Sequence, residues 1–178
     1  MLLVPMCSNE VITFQDIEAA AAAARKCIEQ LMDHSPHTLN WQDLEGRTPL
    51  HLAVSNQDPG NCETLLATKS CQMNLNDHKS CSALHRAAQL GGRVKQVSLL
   101  LALGAHTEGG RDQWGATALH HAIFGGCADT VETLMRHPDV HDVTDYKGRT
   151  ALMWAAAMPD RAPLIQILCR HGANLSQK

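Results

Sequence analysis

The stretch Asp43–Ala53, Asp-Leu-Glu-Gly-Arg-Thr-Pro-Leu-His-Leu-Ala, constrains the fold more than any other feature, because it returns three times. It recurs as Asp77 with Ser82-Ala83-Leu84-His85-Arg86-Ala87, as Asp112 with Thr117-Ala118-Leu119-His120-His121-Ala122, and as Asp145 with Thr150-Ala151-Leu152-Met153-Trp154-Ala155. The four aspartates are 34, 35 and 33 residues apart. A period in this range marks a solenoid of stacked units, each too small to bury its apolar face alone.

Each copy has a local physical reading. Thr48, Ser82, Thr117 and Thr150 stand where a helix begins, and a hydroxyl there satisfies an otherwise unpaired backbone N–H. Pro49 follows at the first helical position, where its missing N–H costs nothing; Ala83, Ala118 and Ala151 serve as well. Leu50, Leu84, Leu119 and Leu152 enter the core, and Ala53, Ala87, Ala122 and Ala155 let neighbouring helices approach. Gly46, Gly115 and Gly148 supply the positive φ of the preceding turn. Ser80 replaces glycine in the second copy, so a less regular turn is expected there.

A second apolar stripe follows each signature helix: Cys62, Leu65 and Leu66; Val97, Leu100 and Leu101; Val131, Leu134 and Met135; Ile165, Leu168 and Cys169. The spacing puts each set on one helix face. Gly104 and Gly172 are placed to terminate two of these helices, and Pro138 replaces that glycine in the third. Asp58-Pro59-Gly60, Gly91-Gly92, Gly125-Gly126 and Pro159 mark the tight turns between paired helices. The resulting frames are 43–76, 77–111, 112–144 and 145–178.

Ahead of them, residues 1–9 carry no pattern and are expected to be disordered. Residues 10–42 read as a helical segment, either a degenerate repeat or an unrelated helical cap; Pro36 opens the loop to the first full copy. Leu164, Ile165, Ile167 and Leu168 resemble an internal helix rather than a polar cap. The array is therefore expected to be a piece of a longer one, or to meet a partner at its open end.

Bulk composition narrows the function classes. Aromatic residues are 3% of the 178, so the core is aliphatic and alanine-rich. A net charge of −3 offers no electrostatic footprint for nucleic acid. Seven cysteines without C-x-x-C pairs point to free thiols in a reducing compartment. With no run of membrane-spanning length and no signal peptide, a soluble cytoplasmic protein is expected, with no membrane insertion.

The Thr-Pro-Leu-His-x-Ala core at this period resembles the ankyrin-repeat family, which implies an all-α solenoid of helix–turn–helix units with finger loops. Within it, Asn40-Trp41-Gln42-Asp43, His137-Pro138 and Met153-Trp154-Ala155-Ala156 are similar to the middle ankyrin repeats of the inversins. That resemblance implies a non-enzymatic scaffold of the primary cilium and of Wnt signalling, with nephrocystin-type or Dishevelled-type partners. Nothing here resembles the calmodulin-binding IQ segments of that family.

Catalytic, cofactor and metal sites are not expected. His51, His85 and His120 belong to the signature, where the imidazole ties a helix start to backbone. One repeat apart, they are too distant to share an ion at bond lengths of about 2 Å. The His120-His121 pair points two ways around its helix. Cys81 with His85 lacks the cleft and orienting group that a thiolate nucleophile needs, although a helix start beside Cys81 is expected to lower its pKa. No glycine-rich loop carries the lysine of a phosphate site.

The expected binding surface is the concave face of finger tips and inner helices. Its tip residues are Leu44, Glu45 and Arg47; His78, Lys79 and Cys81; Gln113, Trp114 and Ala116; and Tyr146, Lys147 and Arg149. Ser55, Asn56, Gln89, Leu90 and Phe124 extend it along the inner helices. Trp114 and Tyr146 beside Arg149 are residue types that dominate interface energetics; the alternative is that Trp114 packs on its own loop. Trp154 is expected in the core. Other readings are a generic adaptor or inhibitor that sequesters a signalling or transcription factor, and a regulatory domain of a larger enzyme.

Overall fold

The computed structural model describes residues 36–173, apart from 69, 108, 109, 138, 139 and 141, together with Lys26, Glu29 and Gln30. Of the helix expected across 10–34, these last three are helical. The rest of that segment, residues 1–9, and Pro138 lie outside the described residues.

The described chain opens on a 3₁₀ turn, Pro36–Asn40, and continues as four helix pairs. They are α1 Pro49–Ala53 with α2 Gly60–Leu66, α3 Ala83–Gln89 with α4 Val94–Ala102, α5 Ala118–Gly125 with α6 Ala128–Met135, and α7 Ala151–Ala157 with α8 Ala162–Arg170. Helices α1, α3, α5 and α7 pack side by side as an inner row, and α4, α6 and α8 as an outer one. Each helix is too short to persist alone in water, so stacking stabilises it. No described helix is long and apolar enough to cross a membrane.

The core follows the repeat. Leu50, Leu84 and Leu119 are buried along the inner row, and Ala53, Ala87, Ala122 and Ala155 fill the close approaches between its helices. Each such leucine contributes about 1.5–3 kcal/mol of burial free energy. Leu152 is only partly buried. The outer stripes are buried as expected in α2, α4 and α6, but in α8 the stripe is Leu164, Ile167 and Leu168. Cys169 is exposed. The expected frame slipped by one because apolar residues flank both sides of the true stripe.

Two polar devices join successive pairs. The Thr48 N–H donates to Nδ1 of His51 at 3.1 Å, and His51 Nε2–H donates to the Cys81 carbonyl at 2.9 Å. His85 repeats this with Ser82 and the Gly110 carbonyl, and His120 with Thr117 and the Arg149 carbonyl. Each histidine thus closes its own helix start and holds the backbone that follows. The second device is an arginine at the start of an outer helix. Arg93 reaches the Ser55 carbonyl, and Arg161 those of Ile123 and Phe124, so the C-terminal ends of α1 and α5 meet a cation.

The finger turns correct one expectation. Gly46, Gly115 and Gly148 take φ of 77°, 79° and 72°, and Ser80 takes the same left-handed conformation at 59°. The second turn is therefore as regular as the others, because Asp77 Oδ1 accepts from the N–H groups of Lys79 and Cys81 and holds it.

Candidate partner-binding groove

The aspartate that opens each finger loop builds the site. Its Oδ1 accepts two backbone N–H bonds in every copy: from Glu45 and Arg47, Lys79 and Cys81, Trp114 and Ala116, and Lys147 and Arg149. The loops then stack through single backbone bonds of 3.0 Å, His78 N–H to Glu45, Gln113 N–H to Lys79, and Tyr146 N–H to Trp114. Fingers stacked this way present their tips in a row.

What differs is the second carboxylate oxygen. Asp43 Oδ2 pairs with Arg47, and the guanidinium lowers the Asp43 pKa to about 2. Asp145 Oδ2 accepts from Arg149 Nε at 2.8 Å and from the Trp154 indole at 3.0 Å. Burial alone would raise the Asp145 pKa, but the bonds from Arg149, Trp154 and Lys147 overcome it and hold it far below the usual carboxylate range. In the third finger Ala116 replaces the arginine and is fully buried, and His121 Nε2 meets Asp112 Oδ2 at 3.0 Å instead.

Between the second, third and fourth fingers and the inner helices lies a groove of about 660 Å³. Of the expected tip residues, Lys79, Cys81, Gln113, Trp114, Tyr146, Lys147 and Arg149 line it together. Leu44, Glu45, Arg47 and His78 stand outside it on the first two fingers, with Leu44 95% exposed and Arg47 paired to Asp43 and Glu45. Ala116, expected at a tip, belongs to the core. Trp114 is 54% exposed and Tyr146 70%. The Tyr146 ring rests on Gly115, where a Cβ would come within 2.6 Å of it.

The groove floor comes from the inner helices. Gln89 and Phe124 were expected there; Arg86 and His121 on those helices, and Asp112 at the base of the third finger, were not. Trp154, expected in the core, is partly buried at the groove's end. Its ring stacks edge-on with His120 at 5.2 Å and lies beneath the Arg149 guanidinium at 5.1 Å. The indole N–H needs an acceptor, and only the groove side offers Asp145.

Burial governs the titrating groups. The pKa of His85 falls to about 4 through desolvation and the neighbouring His121, and those of His51 and His120 fall through desolvation. The Cys81 thiol, expected to be lowered by the helix start, is instead pushed up to about 12 by burial and by Asp77 and Asp112. α3 is too short for its terminus to offset two carboxylates.

The family model described as "Ankyrin repeats (3 copies)" matches residues 17–108 and 97–178. Inversin of Danio rerio is 39% identical over 135 residues, 75% of this chain and 13% of that protein. Inversin of Homo sapiens is 39% identical over 141 residues, 78% and 13% respectively. The B-cell lymphoma 3 protein homolog of Mus musculus is 29% identical over 139 residues, 76% and 31%. The chain therefore spans between about an eighth and a third of these relatives' lengths.

Proposed function

The chain belongs to the ankyrin-repeat family, and from that premise we propose that it is a non-enzymatic, inversin-like scaffold that holds a partner protein in the groove between its second, third and fourth fingers. The observation that carries this reading is the juxtaposition of exposed Trp114, Tyr146 and Phe124 with Lys79, Lys147 and Arg149 around one concavity. Aromatic side chains provide contact area at low entropic cost, and the cations add steering and register. The partner segment that fits carries apolar anchors flanked by acidic side chains. The finger ladder keeps the face rigid, so little ordering cost falls on this side of the complex.

The similarity to inversins extends the proposal to a cytoplasmic adaptor at the primary cilium or in Wnt signalling, with nephrocystin-type or Dishevelled-type partners. The experiment is proximity labelling in ciliated cells with the tagged chain, comparing wild type with a Trp114→Ala/Tyr146→Ala variant whose melting temperature is checked in parallel. Ciliary proteins recovered by the wild type and lost with the variant are the expected result. Cytosolic or nuclear partners lost in the same way would favour the adaptor that sequesters a signalling or transcription factor. Recovery unchanged by the variant would overturn the groove as the binding face.

A further inference from the structure

Cys81 at the tip of the second finger, Asp112 at the start of the third and His121 on α5 come from three separate elements. Each nevertheless offers one ligand atom to a common point, and these atoms all lie within 4.8 Å of one another. We propose that these three side chains bind a borderline transition-metal dication, Zn²⁺ by preference, clamping the second finger to the third repeat at the floor of the groove.

The donor set argues for the ion's class. A thiolate, an imidazole and one carboxylate oxygen suit Zn²⁺ or Co²⁺, whereas Mg²⁺ and Ca²⁺ select oxygen ligands throughout. Charge argues in the same direction. Asp112 is 2% exposed, and a buried carboxylate is costly without a counter-charge. The first and fourth fingers supply that charge with Arg47 and Arg149, each four residues after its aspartate. At the corresponding positions the second and third fingers carry Cys81 and Ala116. A dication with one thiolate and one carboxylate forms a neutral set, replacing the missing guanidinium. Lys79, Arg86 and Arg149 line the same groove and work against the ion, while Asp77 beside Cys81 works for it.

The geometry needs little movement. Tetrahedral zinc at bonds of about 2.0–2.3 Å places ligand atoms about 3.3–3.8 Å apart. Asp112 Oδ2 and His121 Nε2 are already 3.0 Å apart. Asp112 Oδ1 is taken by the Trp114 and Ala116 N–H groups, so Oδ2 is the ligating atom. Cys81 Sγ makes a 3.8 Å contact to the Lys79 carbonyl, and with all three donor atoms within 4.8 Å of one another an adjustment of about 1 Å brings them to tetrahedral spacing. The His121 ring is steadied by the His85 ring, edge-on at 5.1 Å, as outer groups steady metal-bound histidines. On binding, the thiol releases its proton to solvent, and the His121 hydrogen moves from Nε2 to Nδ1 by exchange with water. The fourth coordination position faces the groove, and water completes it.

Cobalt titration of the chelator-treated full chain tests this. One equivalent of Co²⁺ is expected to produce a thiolate-to-cobalt charge-transfer band that Zn²⁺ displaces. Cys81→Ser should abolish the band, Cys169→Ser should leave it, and His121→Gln, which removes a ligand, should weaken binding by more than the about 10–100-fold that loss of an outer partner costs. Absence of the band in the wild type, or its persistence in Cys81→Ser, would overturn the site. Should Cys81→Ser fail to fold by circular dichroism, the ring-proton resonances of His121 in the wild-type chain decide. Movement with the first equivalent of Zn²⁺ supports the site, and no movement sinks it.

Discussion

His120 Nε2 donates to the carbonyl oxygen of Arg149 at 3.1 Å, tying the start of α5 to the loop that leads into α7. The same ring accepts the Thr117 N–H at Nδ1, so one neutral tautomer serves both bonds. His120→Ala leaves a buried donor and the Arg149 carbonyl unpaired, at a cost of about 2–4 kcal/mol. Met153 holds the corresponding position in α7, is exposed, and contributes only its own N–H to Thr150. Urea titrations should therefore show a large loss for His120→Ala and less than about 1 kcal/mol for Met153→Ala. Equal losses would remove the histidine tie as a source of stability.

The same histidines make stability depend on pH. The folded-state pKa of His85 lies near 4 and those of His51 and His120 are also lowered, against an unfolded value near 6.5. Between these limits the unfolded chain binds more protons, so stability rises with pH through that window and is lost as pH falls from about 6.5 towards 4. His85 alone accounts for about 3 kcal/mol across it. The lowered carboxylate of Asp145 pulls the same way at the acid end. Melting temperatures from pH 8 to 4.5 should stay level above pH 7 and fall steadily below it; a curve that rises on acidification would contradict the buried neutral tautomers.

Much of this was legible in the sequence because the repeat ties each residue type to one backbone job. Threonine before leucine, glycine after aspartate and alanine between helices kept their expected places. What was not legible depended on side-chain contacts made outside the spacing of a single helix. Ser80 adopts a left-handed conformation because Asp77 holds the turn, and Trp154 packs against the core yet stays only partly buried because its N–H finds Asp145. The meeting of Cys81, Asp112 and His121 was invisible for the same reason: a spacing rule along one helix cannot report donors from two loops and a helix. A signal was present, since Cys81 and Ala116 break the run of arginines at a fixed place in the frame.

Glycine substitutions separate conformational strain from contact. Gly148 takes φ of 72° with open space around its would-be Cβ, whereas at Gly115 that atom would stand 2.6–2.7 Å from the ring and backbone of Tyr146. Gly148→Ala should cost about 1–2 kcal/mol, from the left-handed backbone alone. Gly115→Ala should cost more, and it should also displace the Tyr146 ring from the groove. Tyrosine fluorescence, measured in a background with the three tryptophans replaced by phenylalanine, should change for Gly115→Ala and not for Gly148→Ala. A Tyr146 signal indifferent to both would mean the ring does not rest on Gly115.

Thiol chemistry offers the last separation. Burial pushes the Cys62 and Cys81 thiols up to about 12, Cys81 with help from Asp77 and Asp112, and raises those of Cys71 and Cys127. At pH 8 a thiol of pKa 12 is ionised in about one molecule in ten thousand, and the thiolate is the attacking form. Cys169 is exposed on α8. In metal-free buffer, iodoacetamide followed by peptide mass spectrometry should, among the described cysteines, label Cys169 first, and Cys62 and Cys81 last by at least about two orders of magnitude in rate. Labelling should become uniform in guanidinium, because unfolding returns every thiol to its ordinary acidity. Rapid labelling of Cys81 in the folded chain would mean that the helix start beside it outweighs burial and its two carboxylate neighbours.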